Sequence, residues 1–192
     1  MAQVITFPPV DKADYYVKRN DHGATITGYL RDASGPVDLL ASTVRFTLRA
    51  ESSSVNKFKS LASVIADPAF TASGAVLTAA GHSLVAGDRV WLKTTGTLPA
   101  GLAVSTNYYV VNTATNTLGL STIKGGTAIT TTTAGTGVHT IIASRARYTF
   151  TATDTDTSGN YYGEFEVTFA DSTVETFPNN KYIFVVVLAD AG

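Results

Sequence analysis

The sequence predicts an all-β protein in which one small β domain is inserted into another. Three observations lead there. Thr, Val, Tyr and Phe are common while the good helix formers Glu, Lys and Met are scarce, Met occurring once. Apolar residues alternate with a period of two rather than recurring every three to four positions. The composition also changes in the middle of the chain and then changes back. At 192 residues there is room for two small domains.

Residues 1–13 read as an N-terminal arm, in which a strand-like piece, Val4 to Phe7, is stopped by Pro8 and Pro9. From Asp14 to residue 66 the pattern is strands and turns. Tyr15 to Lys18 is a short strand, Asn20 to Gly23 a polar turn, and Ala24 to Leu30 alternates. In the next strand Val44, Phe46 and Leu48 lie on one face and Arg45, Thr47 and Arg49 on the other, wet one. Ser52 to Ala66 is ambiguous: Val55, Phe58, Leu61 and Ile65 have helical spacing, yet Leu61, Ser63 and Ile65 alternate, which favours a strand over 61–66.

Asp67-Pro68 marks a break. Residues 67–143 are rich in Gly, Ala and Thr and carry few charges, with short strands between turns at Gly81, Gly87, Gly96, Gly101, Gly125-Gly126 and Gly135. That punctuation predicts a small β-barrel or compact sandwich. Gly87-Asp88 makes a turn that aims Val90 and Leu92 inward, with Tyr108 to Val111 as the facing strand. From 144 the first style returns. Tyr161, Gly163, Phe165, Val167 and Phe169 share one face of a long strand, and Glu164, Glu166 and Thr168 the other. Thr173 to Phe177 is its hairpin partner. Tyr182 to Leu188 is a nearly continuous apolar run, suited to a strand buried on both faces or to an interface. Residues 14–66 and 144–192 thus form one discontinuous outer domain, and 67–143 is the insert.

Composition also bounds function. Hydrophobic residues make up 44% of the chain, enough for a core, and charged residues 15%, against about 25% in typical soluble domains. The formal net charge of −1 supplies no field to draw nucleic acid or anionic lipid. The basic pairs Lys18-Arg19 and Arg145/Arg147 read as solvated strand ends. Cys is absent, which excludes disulfides, thiolate catalysis and Cys-ligated zinc. MAQVITFPPV lacks the basic start of a signal peptide, and no apolar run approaches the roughly 18 residues of a membrane helix, so a soluble protein is expected.

Two stretches of the outer halves, VKRNDHGATITGYLRDASGPVDLLASTVRFTLR and TDTDTSGNYYGEFEVTFADSTVETFPN, resemble the immunoglobulin-like N-terminal domain of phage baseplate upper proteins. The acidic turn followed by Gly159 and Tyr161 is similar to the tyrosine corner of immunoglobulin sandwiches, in which a buried Tyr hydroxyl bonds backbone upstream. In the insert, GHSLVAGDRVWL and LPAGLAVSTNYYVVNTATNTLGLST are similar to a small β module of phage tail and virion proteins. They are also similar to a domain inserted in ubiquitin-activating enzymes, whose catalytic cysteine has no counterpart here. The resemblance implies an immunoglobulin-like β-sandwich with an inserted small β-barrel.

Candidate chemistry is sparse. His22, His82 and His139 are the three histidines, and His82 with Asp88 and a nearby Ser or Thr is the one conceivable triad, although His82 reads better as a turn residue. Glu164 and Glu166 share a strand face, as paired acids would, but that face is expected to be wet. Asp154, Asp156 and Asn160 have the composition of a calcium loop without its closing bidentate acid. Gly125-Gly126 and Gly135 to Gly137 lack the Lys-Ser/Thr of a phosphate loop. Trp91 is either a second core layer or an exposed contact.

These readings assign no catalytic residue, cofactor or metal. The expectation is a non-enzymatic phage virion protein, a tail or baseplate connector assembled in the host cytoplasm. Its partners would be other virion proteins and copies of itself in a symmetric array, not nucleic acid or membrane. Strand 182–188 would dock and the insert would act as a spacer or contact knob, while residues 3–7 would add a strand to a neighbour's sheet. The alternatives are a capsid or neck decoration protein, or a host-glycan binder using Tyr108, Tyr109 or Trp91. A hydrolase acting through His82 is the remaining rival.

Overall fold

The computed structural model describes residues 3–4 and 13–190. They form strands β1 (Gln3–Val4), β2 (Tyr15–Lys18), β3 (Thr25–Tyr29), β4 (Thr43–Ala50), β5 (Asn56–Leu61), β6 (Ser63–Ile65), β7 (Ala69–Ser73) and β8 (Val76–Thr78). There follow β9 (Arg89–Thr94), β10 (Tyr108–Val111), β11 (Thr117–Ser121), β12 (His139–Ile142), β13 (Arg145–Thr149), β14 (Gly159–Thr168), β15 (Val174–Phe177) and β16 (Ile183–Leu188). The protein is all-β, and the described residues contain no helix.

Two compact units divide the chain. The first holds the residues up to Arg31, Leu39–Ile65 and the chain from Arg145 onward; the second holds Asp32–Asp38 and Ala66–Ser144. The short segment Asp32–Asp38, expected to belong to the outer domain, is therefore part of the second unit.

The first unit is a sandwich of two sheets, ordered β1-β3-β13-β6 and β2-β16-β14-β4-β5, with β15 paired to β14. β2 runs parallel to β16 at one edge of the second sheet, and the other neighbouring pairs of that sheet are antiparallel. Inward positions follow the alternation of the sequence: Phe46 and Leu48 on β4, Tyr161, Phe165 and Val167 on β14, and Ile183, Val185 and Val187 on β16 are all buried. The core is aromatic. Phe46 lies 4.9 Å from Phe165 and 5.1 Å from Tyr148 between ring centroids, and Phe150 meets Tyr148 edge-on at 5.4 Å. Such pairs add about 0.5–1.5 kcal/mol each beyond their burial. Gly28 on β3 faces the Phe165 ring so closely that a Cβ would come within 2.6 Å, so only a bare backbone lets the sheets approach there.

The ambiguous stretch resolves into β5 and β6. Phe58 points into the core, meeting Tyr148 at 5.3 Å, while Leu61 is exposed. Cross-strand pairing of β5 with β4 and of β6 with β13 overrides the weak helical spacing. β5 is a sheet edge and carries Lys57 and Lys59, the residue type that discourages edge-to-edge aggregation.

Two further expectations meet the structure. Gln3–Val4, expected to extend a neighbour's sheet, pairs in parallel with Ile26–Thr27 within the chain; residues 5–7, Pro8 and Pro9 lie outside the described residues. Arg145 is buried on β13 rather than solvated, whereas Arg147 is exposed. The two share one face of β13, Ala146 and Tyr148 facing the core from the other, so strand position rather than face separates them: Arg145 opens the strand and Arg147 stands at its middle.

In the second unit six strands close into a barrel ordered β10-β11-β8-β7-β12-β9. Its core holds Phe70, Leu77, Val90, Leu92, Val110, Leu118, Leu120 and Ile141. The turn before β9 is built as the sequence suggests: Gly87 has φ +93°, and Asp88 Oδ2 accepts the Val85 N–H at 3.0 Å.

Candidate functional site

The polar residues singled out in the sequence have structural employment. The Leu84 N–H donates to His82 Nδ1 at 2.9 Å, so the ring proton sits on Nε2, which donates to the Ala114 carbonyl oxygen at 2.9 Å. Both ring nitrogens thus engage backbone, which leaves neither to activate a nucleophile. His82 borders a shallow, open depression lined by Gly81, Ser83, Leu84 and Thr113 to Thr115. His139 is buried, with Nδ1 2.9 Å from Thr94 Oγ1 and Nε2 3.2 Å from the Ala134 carbonyl oxygen. His22 is exposed in its turn.

The acidic residues do not converge either. Asp154 is buried and accepts from the Tyr148 hydroxyl at 2.8 Å and the Thr151 N–H at 2.7 Å on one oxygen. Asp156 pairs with Lys57, and Asn160 donates to Glu51 at 3.1 Å. The three residues that resemble a calcium loop in composition are thus held by separate partners. Glu166 pairs with Lys59 at 2.6 Å.

Tyr108 is buried and its hydroxyl oxygen accepts the Ala103 N–H at 2.8 Å; Tyr109 is half-buried. Trp91 is half-buried and covered by Gly35, whose position brings a built Cβ to 2.5 Å from the indole. The aromatics picked as glycan contacts are therefore not an exposed platform.

A different aromatic group is exposed, on the outer face of the β2-β16-β14-β4-β5 sheet. Register places Phe184, Tyr162 and Arg49 side by side across β16, β14 and β4, and Tyr16, Val186 and Asn160 in the adjoining row. Tyr162 stacks on Tyr182 at 5.2 Å and meets Phe184 at 6.1 Å. The Arg49 guanidinium lies 5.4 Å from the Tyr162 ring centre and 5.3 Å from that of Tyr182, a cation–π arrangement. Glu51 closes the cluster by accepting the Tyr162 hydroxyl at 2.9 Å. The bonds from Asn160 and Tyr162 hold the Glu51 carboxyl below its ordinary pKa, and the Glu51 bond raises the Tyr162 phenol.

Tyr16, Tyr182 and Leu188 are 54%, 46% and 43% exposed, so this face presents rings and aliphatic surface to solvent. Three of the charged groups on this sheet are engaged within the domain: Arg49 with the rings and the Ser53 carbonyl, Lys59 with Glu166, Arg19 with Asp190 at 3.5 Å. Tyr162 and Arg49 could have been found from the sequence, since they share parity with Glu164 and Arg45 on the wet faces of their strands. Their adjacency could not, because it depends on pairing between distant strands.

Comparisons with protein-family models, with curated proteins and with solved structures each returned no match.

Proposed function

We propose that the chain is a phage virion structural protein, a tail or baseplate connector that works through protein–protein contacts. The observation that carries the reading is the outer face of β16. Phe184, Val186 and Leu188 look outward from a strand whose alternate residues fill the core, and Tyr16, Tyr162 and Tyr182 extend the patch. A cluster of rings and aliphatics with Arg49 held over two of the rings suits a permanent packed interface between like or neighbouring subunits. The resemblance of the outer halves to the baseplate domain supports the phage context. The occupation of both ring nitrogens of His82 by backbone, and of those of His139 by Thr94 and a backbone carbonyl, favours assembly over hydrolysis.

Quantitative peptide mass spectrometry on purified particles, split into head and tail fractions, tests the proposal. A few to some tens of copies confined to tails is the expected result. Hundreds in heads would make the protein a decoration subunit, and absence from particles would overturn the reading.

A further inference from the structure

The second unit contains a feature that neither barrel closure nor core packing requires. Residues Asp32–Asp38 are remote in sequence from the barrel strands, yet they lie on the barrel and are gripped along their length. Gly35 seats on the Trp91 ring, where its missing Cβ and its φ of +152° both demand glycine. Trp91 Nε1 donates to Asn107 Oδ1 at 2.8 Å, which orients the amide so that Nδ2 donates to the Ser34 carbonyl oxygen at 3.3 Å. Ser144 Oγ donates to the Val37 carbonyl oxygen, and Lys93 Nζ pairs with Asp38 Oδ2 at 2.7 Å. The segment is itself a preformed turn: Asp32 Oδ1 accepts the Ser34 and Gly35 N–H groups at 2.7 and 2.8 Å, and Pro36 fixes the next φ.

An aromatic floor, an amide oriented to read a main-chain carbonyl, and a cation at the end are the components of a peptide-recognition groove. We propose that the Trp91–Asn107 face of the barrel is such a groove and that Asp32–Asp38 is its resident ligand in cis. The ligand class is a Gly-Pro turn with a carboxylate two residues after the proline, as in SGPVD. Attachment gives the cis segment an effective concentration of order millimolar, so a partner's turn of the same chemistry enters only when the strap lifts. The inference concerns the barrel alone and stands or falls separately from the virion reading.

Trp91 is the single Trp, so its emission in the full-length chain reports the groove. Gly35→Ala should red-shift that emission and increase quenching by acrylamide. A synthetic peptide RDASGPVDL, at sub-millimolar concentration, should reverse the shift. The same peptide with Ala in place of its Gly should not, and the wild-type protein should not respond to either. No red shift, or a shift that the peptide leaves untouched, would overturn the proposal. Hydrogen exchange on the wild-type protein provides a test free of folding defects in the variant. The amide of Gly35, which is buried against the barrel, should exchange at least tenfold faster than those of β9 and β12, because a ligand leaves without the barrel unfolding. Equal protection would make the strap an inseparable part of the barrel and end the idea.

Discussion

The hydroxyl of Tyr161 donates to the carbonyl oxygen of Thr157 at 2.8 Å, tying the first residues of β14 to the turn that precedes them. The ring is buried while the bond reaches back over the corner to a backbone carbonyl four residues upstream. Tyr161→Phe keeps the packing and removes the bond. It should lower stability by about 1 kcal/mol in urea unfolding with an unchanged m value. A variant as stable as wild type would show that the corner contributes only geometry.

Close approach of the two sheets depends on Gly28. A methyl group there meets Phe165 at 2.6 Å, so Gly28→Ala should cost about 1–3 kcal/mol. Phe165→Leu in the same chain should recover part of that loss, and a double-mutant cycle measures the coupling. Strict additivity would mean that the backbone, not the ring, yields.

His82 staples two loops of the barrel through backbone groups on both ring nitrogens. His82→Ala leaves those groups to find new partners and should destabilise the protein by about 2 kcal/mol. The melting temperature, followed by Trp91 fluorescence, reads the effect. A loss under about 0.5 kcal/mol would show that water replaces the imidazole without penalty.

Alkaline pH should weaken the sandwich through Tyr148. Burial first, and the bond to Asp154 second, push its phenol up to about 12 from an ordinary value near 10. A raised folded-state pKa means that the proton is held more tightly in the folded chain. The stabilisation is complete below pH 10 and is lost as pH rises from there through 12. Tyr148→Phe should flatten the stability profile in that window. An unchanged profile would assign the loss to other tyrosines, of which Tyr15 is shifted in the same direction by burial.

Leu188 is 43% exposed at the outer end of β16, so Leu188→Glu should change solution stability by no more than about 0.5 kcal/mol. If the outer face is an interface, the same variant should fail to enter particles when it complements a deletion. Normal incorporation with normal copy number would remove this face from assembly.

Period-two alternation in 43–50, 161–168 and 183–188 was enough to place the strands and their inward residues, because a half-buried strand must segregate its faces locally. Gly-punctuated short strands likewise pointed to a compact β insert. The sequence was weakest where a side chain's fate depends on a distant partner. Lone Trp91 could be read as core or contact, and it is covered by Gly35, a residue that belongs in sequence to another domain. Tyr108 looked available and is inside the barrel, while Arg49, placed on a wet strand face, and Tyr182, at the start of a run suited to an interface, assemble with Tyr162 on the outer sheet. By itself, then, the sequence determined an all-β chain, the two stretches of different character and the faces of the long strands, since these are local consequences of side-chain alternation. Tertiary structure alone decided which strands are neighbours, which aromatics meet solvent, and that residues Asp32–Asp38 lie with the barrel. Those outcomes are set by pairing and close approach between segments far apart in the chain, which no local pattern encodes.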